Sequence, residues 1–131
     1  MQPVGAGALI RRRSLAARLL GHHRSSAAWG HNPRWLGVDV VEVRGVPLAL
    51  HPEGEGVSDG IRRSGDFYEA EILDFVRDVY PAHRTIVDAG AFIGNHSAYF
   101  ASFLPHERIH AFEPLPANFA LLAVNAARFP T

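Results

Sequence analysis

The spacing of apolar positions changes along this chain, and each change marks a boundary between predicted elements. From Val38 to Leu50, apolar and β-branched residues flank Arg44-Gly45, which predicts a β-hairpin whose second strand Pro47 confines to a sheet edge. His51 to Gly60, with Pro52, Gly54, Gly56 and Gly60, reads as a loop. Ile72, Leu73, Phe75, Val76 and Val79 then recur at helical spacing. Asp66 is the expected cap of that helix, Glu69 completes a capping box, and Pro81 stops it beyond Tyr80.

Thr85 to Ala89 is short and apolar enough for a buried strand, and a helix follows from Asn95 until Pro105 ends it. A second strand is expected from Arg108 to Phe112. Pro114 and Pro116 shape the turn into a last helix over 117–128, which Pro130 stops. Strand, helix, strand, helix in this order makes a right-handed parallel unit, so the fold class is α/β.

The junctions of that unit carry the candidate chemistry. Asp88 lies where the first strand runs out, Gly90 and Gly94 let backbone approach a ligand, and the helix opening at Asn95 offers unpaired N–H groups. Ligands of open α/β sheets bind beyond the carboxyl ends of the strands, so Asp88 is expected to look into a crevice rather than the core. Glu113 repeats the pattern after the second strand, where a carboxylate can accept from both hydroxyls of a ribose. An acid at a strand end can also do no more than cap the next turn. Two of them around the glycines favour the ligand role.

These residues resemble a known family. Asp88-Ala89-Gly90-Ala91-Phe92-Ile93-Gly94-Asn95-His96-Ser97 and Ala111-Phe112-Glu113-Pro114 look like the first two motifs of S-adenosylmethionine-dependent methyltransferases of the FkbM type. Gly65-Asp66-Phe67-Tyr68-Glu69 is similar to the run ahead of the first motif, and Asn118-Phe119, Leu121-Leu122 and Asn125 to the helix after the second, so the likeness covers roughly residues 38 to 129. The resemblance implies a Rossmann-like class I methyltransferase fold with S-adenosyl-L-methionine as cofactor and a small-molecule or sugar-type hydroxyl as methyl acceptor. It implies a cofactor site of Asp88, Gly90, Ala91, Phe92, Gly94, Asn95, His96 and Glu113, and it leaves the general base unassigned. Members of the family continue for another half domain, so the expectation is a truncated fold over 38–131 that is inactive alone.

A nicotinamide or flavin dinucleotide site is the competing reading of the loop. Its fingerprint, G-x-G-x-x-G, wants three glycines, whereas here two stand at G-x-x-x-G spacing with an acid two residues ahead. An acid at the mouth suits the cationic adenosylmethionine better than a pyrophosphate. A decayed copy serving as an interaction piece is the third reading.

Composition narrows the partners. The formal charge is zero over 131 residues, yet residues 1–37 hold six arginines and no acid, while 39–131 hold seven arginines against thirteen acids. The leader 1–37 is therefore basic and the domain acidic. Arg11-Arg12-Arg13 ahead of Ser14-Leu15-Ala16-Ala17-Arg18-Leu19-Leu20 fits an organelle transit peptide, a nucleic-acid patch or a membrane-surface patch. The plainer reading, a disordered solvated leader with one short helix and with Trp29 and Trp35 anchoring its end, is preferred, so no nucleic-acid partner is expected. Cysteine is absent, which excludes disulfides, thiolate nucleophiles and cysteine metal sites. No apolar run suffices for a membrane span, and the composition is compatible with the cytoplasm.

Eight histidines are scattered over the chain. His22, His23 and His31 lack the further ligands that a metal site needs, and His51, His83, His106 and His110 fall on loops, helix ends and a strand. His96, at the helix start, is the one placed to position a substrate hydroxyl or act as a base. Tyr68 and Glu69 could also reach a ligand, although a cap and a core edge account for them more simply.

Overall fold

The computed structural model describes residues 7–9, 38–80 and 85–129. Nine elements follow in order: β1 (Gly7–Leu9), β2 (Asp39–Val43), β3 (Val46–Leu50), α1 (Gly56–Ser64), α2 (Ala70–Val79), β4 (Thr85–Ala89), α3 (Asn95–Phe103), β5 (Arg108–Phe112) and α4 (Pro116–Ala126). They form a small mixed α/β domain with two sheets, β1-β5-β4 and β2-β3. The expected short helix of the leader, Trp29, Trp35, Pro81, His83 and Pro130 lie outside the described residues.

The parallel unit is as read: β4 pairs in parallel with β5, Thr85 opposite Arg108 through Ala89 opposite Phe112. β1 adds an antiparallel strand on the far side of β5, Gly7 opposite Phe112, within the stretch read as a disordered leader. Among the described residues β4 has β5 as its one neighbour, so it forms the sheet edge.

Burial alternates along both strands because helices cover one face of the sheet. Ile109 and Ala111 are buried on that face, while Val87 on the other is 63% exposed. The buried strand expected from Thr85 to Ala89 is therefore buried on the helix-covered face only.

The hairpin forms around Arg44-Gly45, whose φ values of 49° and 79° suit a turn with both central residues left-handed. Its β3 strand buries Leu48, Ala49 and Leu50 completely, in one core with Ile61, Leu73, Ile93 and Tyr99. Full burial of a leucine or isoleucine contributes about 1.5–3 kcal/mol, so β3 is a main source of stability. Asn125, 1% exposed on α4, ties this strand to the glycine loop. Its Oδ1 accepts from Ala49 N at 2.7 Å, and its Nδ2 donates to Ala49 O at 2.9 Å and to Ile93 O at 2.7 Å.

Two helix expectations need correction. Gly56 to Gly60 is not loop but the first half of α1: Glu55 accepts from Val57 N at 2.9 Å and Ser58 N at 2.8 Å, while Ile61 and Ser58 are fully buried. Cap and burial outweigh the low propensity of the two glycines. Asp66 does not cap α2, which starts at Ala70 after Glu69, a left-handed residue at φ 59° without a side-chain cap bond. Asp66 instead accepts from Phe67 N at 2.8 Å and pairs with Arg44 at 2.8 Å.

Arg44 also meets Asp74 at 2.7 Å, and the Tyr99 hydroxyl donates to the same Asp74 oxygen at 2.5 Å. Arg44 first and Tyr99 second hold the Asp74 carboxyl well below the ordinary carboxylate range. Burial, then Asp74, pushes the Tyr99 phenol up to about 12. A carboxylate depressed in the fold stabilises above its unfolded pKa and loses that contribution as pH falls from there towards the depressed value. The stability gap between wild type and Arg44→Met is therefore expected to be full at neutral pH and to narrow below about pH 4. Urea midpoints across that range measure it, and a gap that stays constant would contradict the assignment.

Candidate functional site

The loop from Gly90 to Gly94 leaves the carboxyl end of β4 and is held by the end of β5. Gly90 N and Ala91 N both donate to Phe112 O at 2.9 Å, and Gly94 N turns back to Ala91 O at 2.7 Å. Both glycines have φ 85°, and Phe92 between them stands at φ 53°, a conformation costly for a bulky side chain. The two glycines differ in surroundings. A Cβ at Gly94 would meet Leu122 Cδ1 at 2.8 Å, whereas one at Gly90 meets nothing within 4 Å. Gly94 serves helix packing, and Gly90 leaves room outside the loop.

Glu113, 5% exposed, follows β5 directly and is aimed at this loop. Its Oε2 accepts from Phe92 N at 2.9 Å; its Oε1 accepts from Leu115 N at 2.9 Å and Asn118 Nδ2 at 3.4 Å. Behind it the His51 ring bonds Asn118 Oδ1 at 2.8 Å and tilts against Phe92, with centroids 5.5 Å apart. Two backbone N–H groups and one amide thus balance a buried charge that has no cation partner among the described residues.

Asp88 does not look into an open crevice. It is 9% exposed on the helix-covered face, and its Oδ2 accepts from the Ser97 hydroxyl at 2.6 Å, fixing the first turns of α3. The register explains this, since Asp88 stands opposite the inward-facing Ala111. Its other oxygen has no hydrogen bond among the described residues, and no cation there pairs with it.

Asn95 and His96 bind protein. Asn95 accepts from Tyr68 N and donates to Tyr68 O, both at 3.0 Å, and His96 Nε2 lies 3.2 Å from Glu69 Oε2. Together they clasp the strap 67–69 to the start of α3. This is why Glu69 is held in its left-handed conformation rather than in a capping box.

The structure therefore brings Asp88, Gly90, Ala91, Phe92, Gly94, Asn95, His96 and Glu113 into one region at the ends of β4 and β5. Sequence reasoning missed that Ser97, Asn118, Asn125 and His51 hold it. Asn118 and Asn125 were visible as asparagines on an otherwise apolar helix, where amides need buried partners. Nothing in the sequence singled out His51 as a partner of Asn118. Among the described residues no group of three or more His, Asp or Glu is placed to hold a metal ion, and no helix is long and apolar enough to cross a membrane. In comparisons with known proteins no family model matches the chain, and curated proteins and solved structures give no significant match.

Proposed function

We propose that this domain binds S-adenosylmethionine as part of a methyltransferase of the FkbM type that acts on a hydroxyl of a small molecule. The observation that carries the reading is the placement of two buried carboxylates, Asp88 and Glu113, at the ends of adjacent parallel strands, around a loop that is open outside Gly90.

The donor set fits such a ligand. Glu113 makes three hydrogen bonds, which leaves a carboxylate acceptor position for a ribose hydroxyl, and Asp88 keeps an oxygen uncommitted. Two buried carboxylates without a cation partner among the described residues favour a ligand carrying positive charge. A dinucleotide is disfavoured by the same charge and by Phe92, which stands where the fingerprint's second glycine would be and tilts against His51.

When bound, the sulfonium would supply an electrophilic methyl group. The chain's own residues bind and orient: Glu113 takes the ribose, Gly90 admits backbone contact, and Asp88 holds α3 while balancing charge. On this reading the half-exposed His96, held at the start of α3 by Glu69, orients an acceptor hydroxyl.

Gly90→Ala tests the site without disturbing the core. A left-handed alanine costs the fold about 1–2 kcal/mol from its φ alone, because its methyl meets nothing within 4 Å among the described residues. Affinity for adenosylmethionine should fall by a further 1–3 kcal/mol, roughly the cost of crowding a filled contact. Calorimetry on the variant measures this; an unchanged affinity would remove Gly90 from the site.

A further inference from the structure

Three donors hold the Glu113 carboxylate, and two of them lead to one side chain outside the glycine loop. Phe92 N donates to Oε2, while Leu115 N and Asn118 Nδ2 donate to Oε1. The Phe92 ring centroid lies 5.5 Å from that of His51, and Asn118 Oδ1 lies 2.8 Å from His51 Nε2. His51 therefore touches the residues that supply two of the three donors. A carboxylate offers about four acceptor positions, so the one left open lies on Oε2, beside Phe92.

The acceptors decide where the protons sit. A carboxylate only accepts, so Asn118 turns its Nδ2 toward Glu113 and its Oδ1 toward His51, and His51 Nε2 must then carry a hydrogen. With the proton on Nδ1, two lone pairs would face each other at 2.8 Å, and flipping the amide to relieve this would set Asn118 Oδ1 against the carboxylate. His51 is itself held by its backbone directly after β3. Its N–H donates to the buried Ser58 hydroxyl at 3.2 Å, and its carbonyl accepts from Arg62, which pairs with Asp39 and Asp59 at 2.8 Å each. The imidazole thus enters the site from a fixed strand end.

We propose that His51 is a positioning residue for the cofactor, a role that rests on Glu113 being the ribose acceptor. Its Nε2–H orients the Asn118 amide and its ring backs Phe92, and these two residues aim the open position on Glu113 Oε2 at a ribose hydroxyl. The chemistry required of residue 51 is one N–H donor at the place of Nε2. Glutamine supplies it, and phenylalanine does not.

Nitrogen-15 resonances of the imidazole in the ligand-free chain at alkaline pH test the proton, and calorimetry with S-adenosylmethionine tests its consequence. The neutral His51 ring is expected as the Nε2–H tautomer, a reading that needs no variant. His51→Phe, which keeps a ring against Phe92, should weaken adenosylmethionine binding by about tenfold, the scale of one lost hydrogen bond. His51→Gln should restore most of that loss, whereas a residue that only filled space would be replaced better by phenylalanine. In an Asn118→Ala background His51→Phe should have little further effect, because its action passes through the amide. An Nδ1–H tautomer, or binding by His51→Phe as tight as by His51→Gln, would overturn the proposal and leave the cofactor site itself standing. Wild-type chain that fails to bind adenosylmethionine would remove the cofactor site, and the role of His51 with it.

Discussion

Asn125→Ala is expected to be the most damaging single substitution in the domain, lowering stability by about 3–5 kcal/mol. The side chain is buried and makes three hydrogen bonds, all to backbone groups: Ala49 N, Ala49 O and Ile93 O. Ala49 faces Val40 across the hairpin, and on its other side the Asn125 amide takes the place of a third strand. Alanine would leave one donor and two acceptors in the core without partners, each costing about 1–3 kcal/mol, with partial relief if water enters. The loss should spread to the glycine loop, since Ile93 belongs to it. Thermal or urea unfolding of the purified variant measures the effect. A change below about 1 kcal/mol would mean that the hairpin does not depend on this amide.

Gly94→Ala should follow at about 2–5 kcal/mol, from two separable causes. A left-handed φ of 85° costs a β-carbon about 1–2 kcal/mol. The added methyl would also lie 2.8 Å from Leu122 Cδ1, an overlap that the core relieves only by shifting α4, at a further cost of about 1–3 kcal/mol. Because the clash is with a side-chain end, the two positions must couple. Leu122→Ala should cost less in the Gly94→Ala background than in wild type, and a double-mutant cycle reads the difference. Additive effects would show that backbone strain alone accounts for Gly94. Gly90→Ala, with the same φ and an empty surrounding, provides the control for strain without overlap.

The parallel unit was legible because its signals are local. The run from Thr85 to Ala89, the glycines and Pro105 fix β4 and α3, and the alternation around Arg44-Gly45 fixes the hairpin. The places where reading failed are those where tertiary contacts outweigh local preference. Two glycines argued against α1, yet the Glu55 cap and the burial of Ile61 form it. Asp66 had the sequence context of a cap, but Arg44 and the strap clasped by Asn95 take it elsewhere. The elements that carry the candidate residues were legible, and the partners of those residues were not. The period of a strand placed Asp88 at its end without saying which face it would take, and the pairing with Ser97 depends on how α3 lies across the sheet. The roles of His51 and Asn118 depend on the hairpin meeting α4, a contact between segments far apart in sequence.

The central claim is that the ends of β4 and β5 hold an adenosine-bearing cation, and the most direct test is titration calorimetry of the full chain with S-adenosylmethionine and with NADH. Glu113→Ala serves as the site control. The account predicts saturable binding of adenosylmethionine at one site, none of NADH, and a loss of about 1.5–3 kcal/mol in the variant, the size of a hydrogen bond to a charged group. Binding of NADH without adenosylmethionine, or an affinity for adenosylmethionine that Glu113→Ala leaves unchanged, would contradict it.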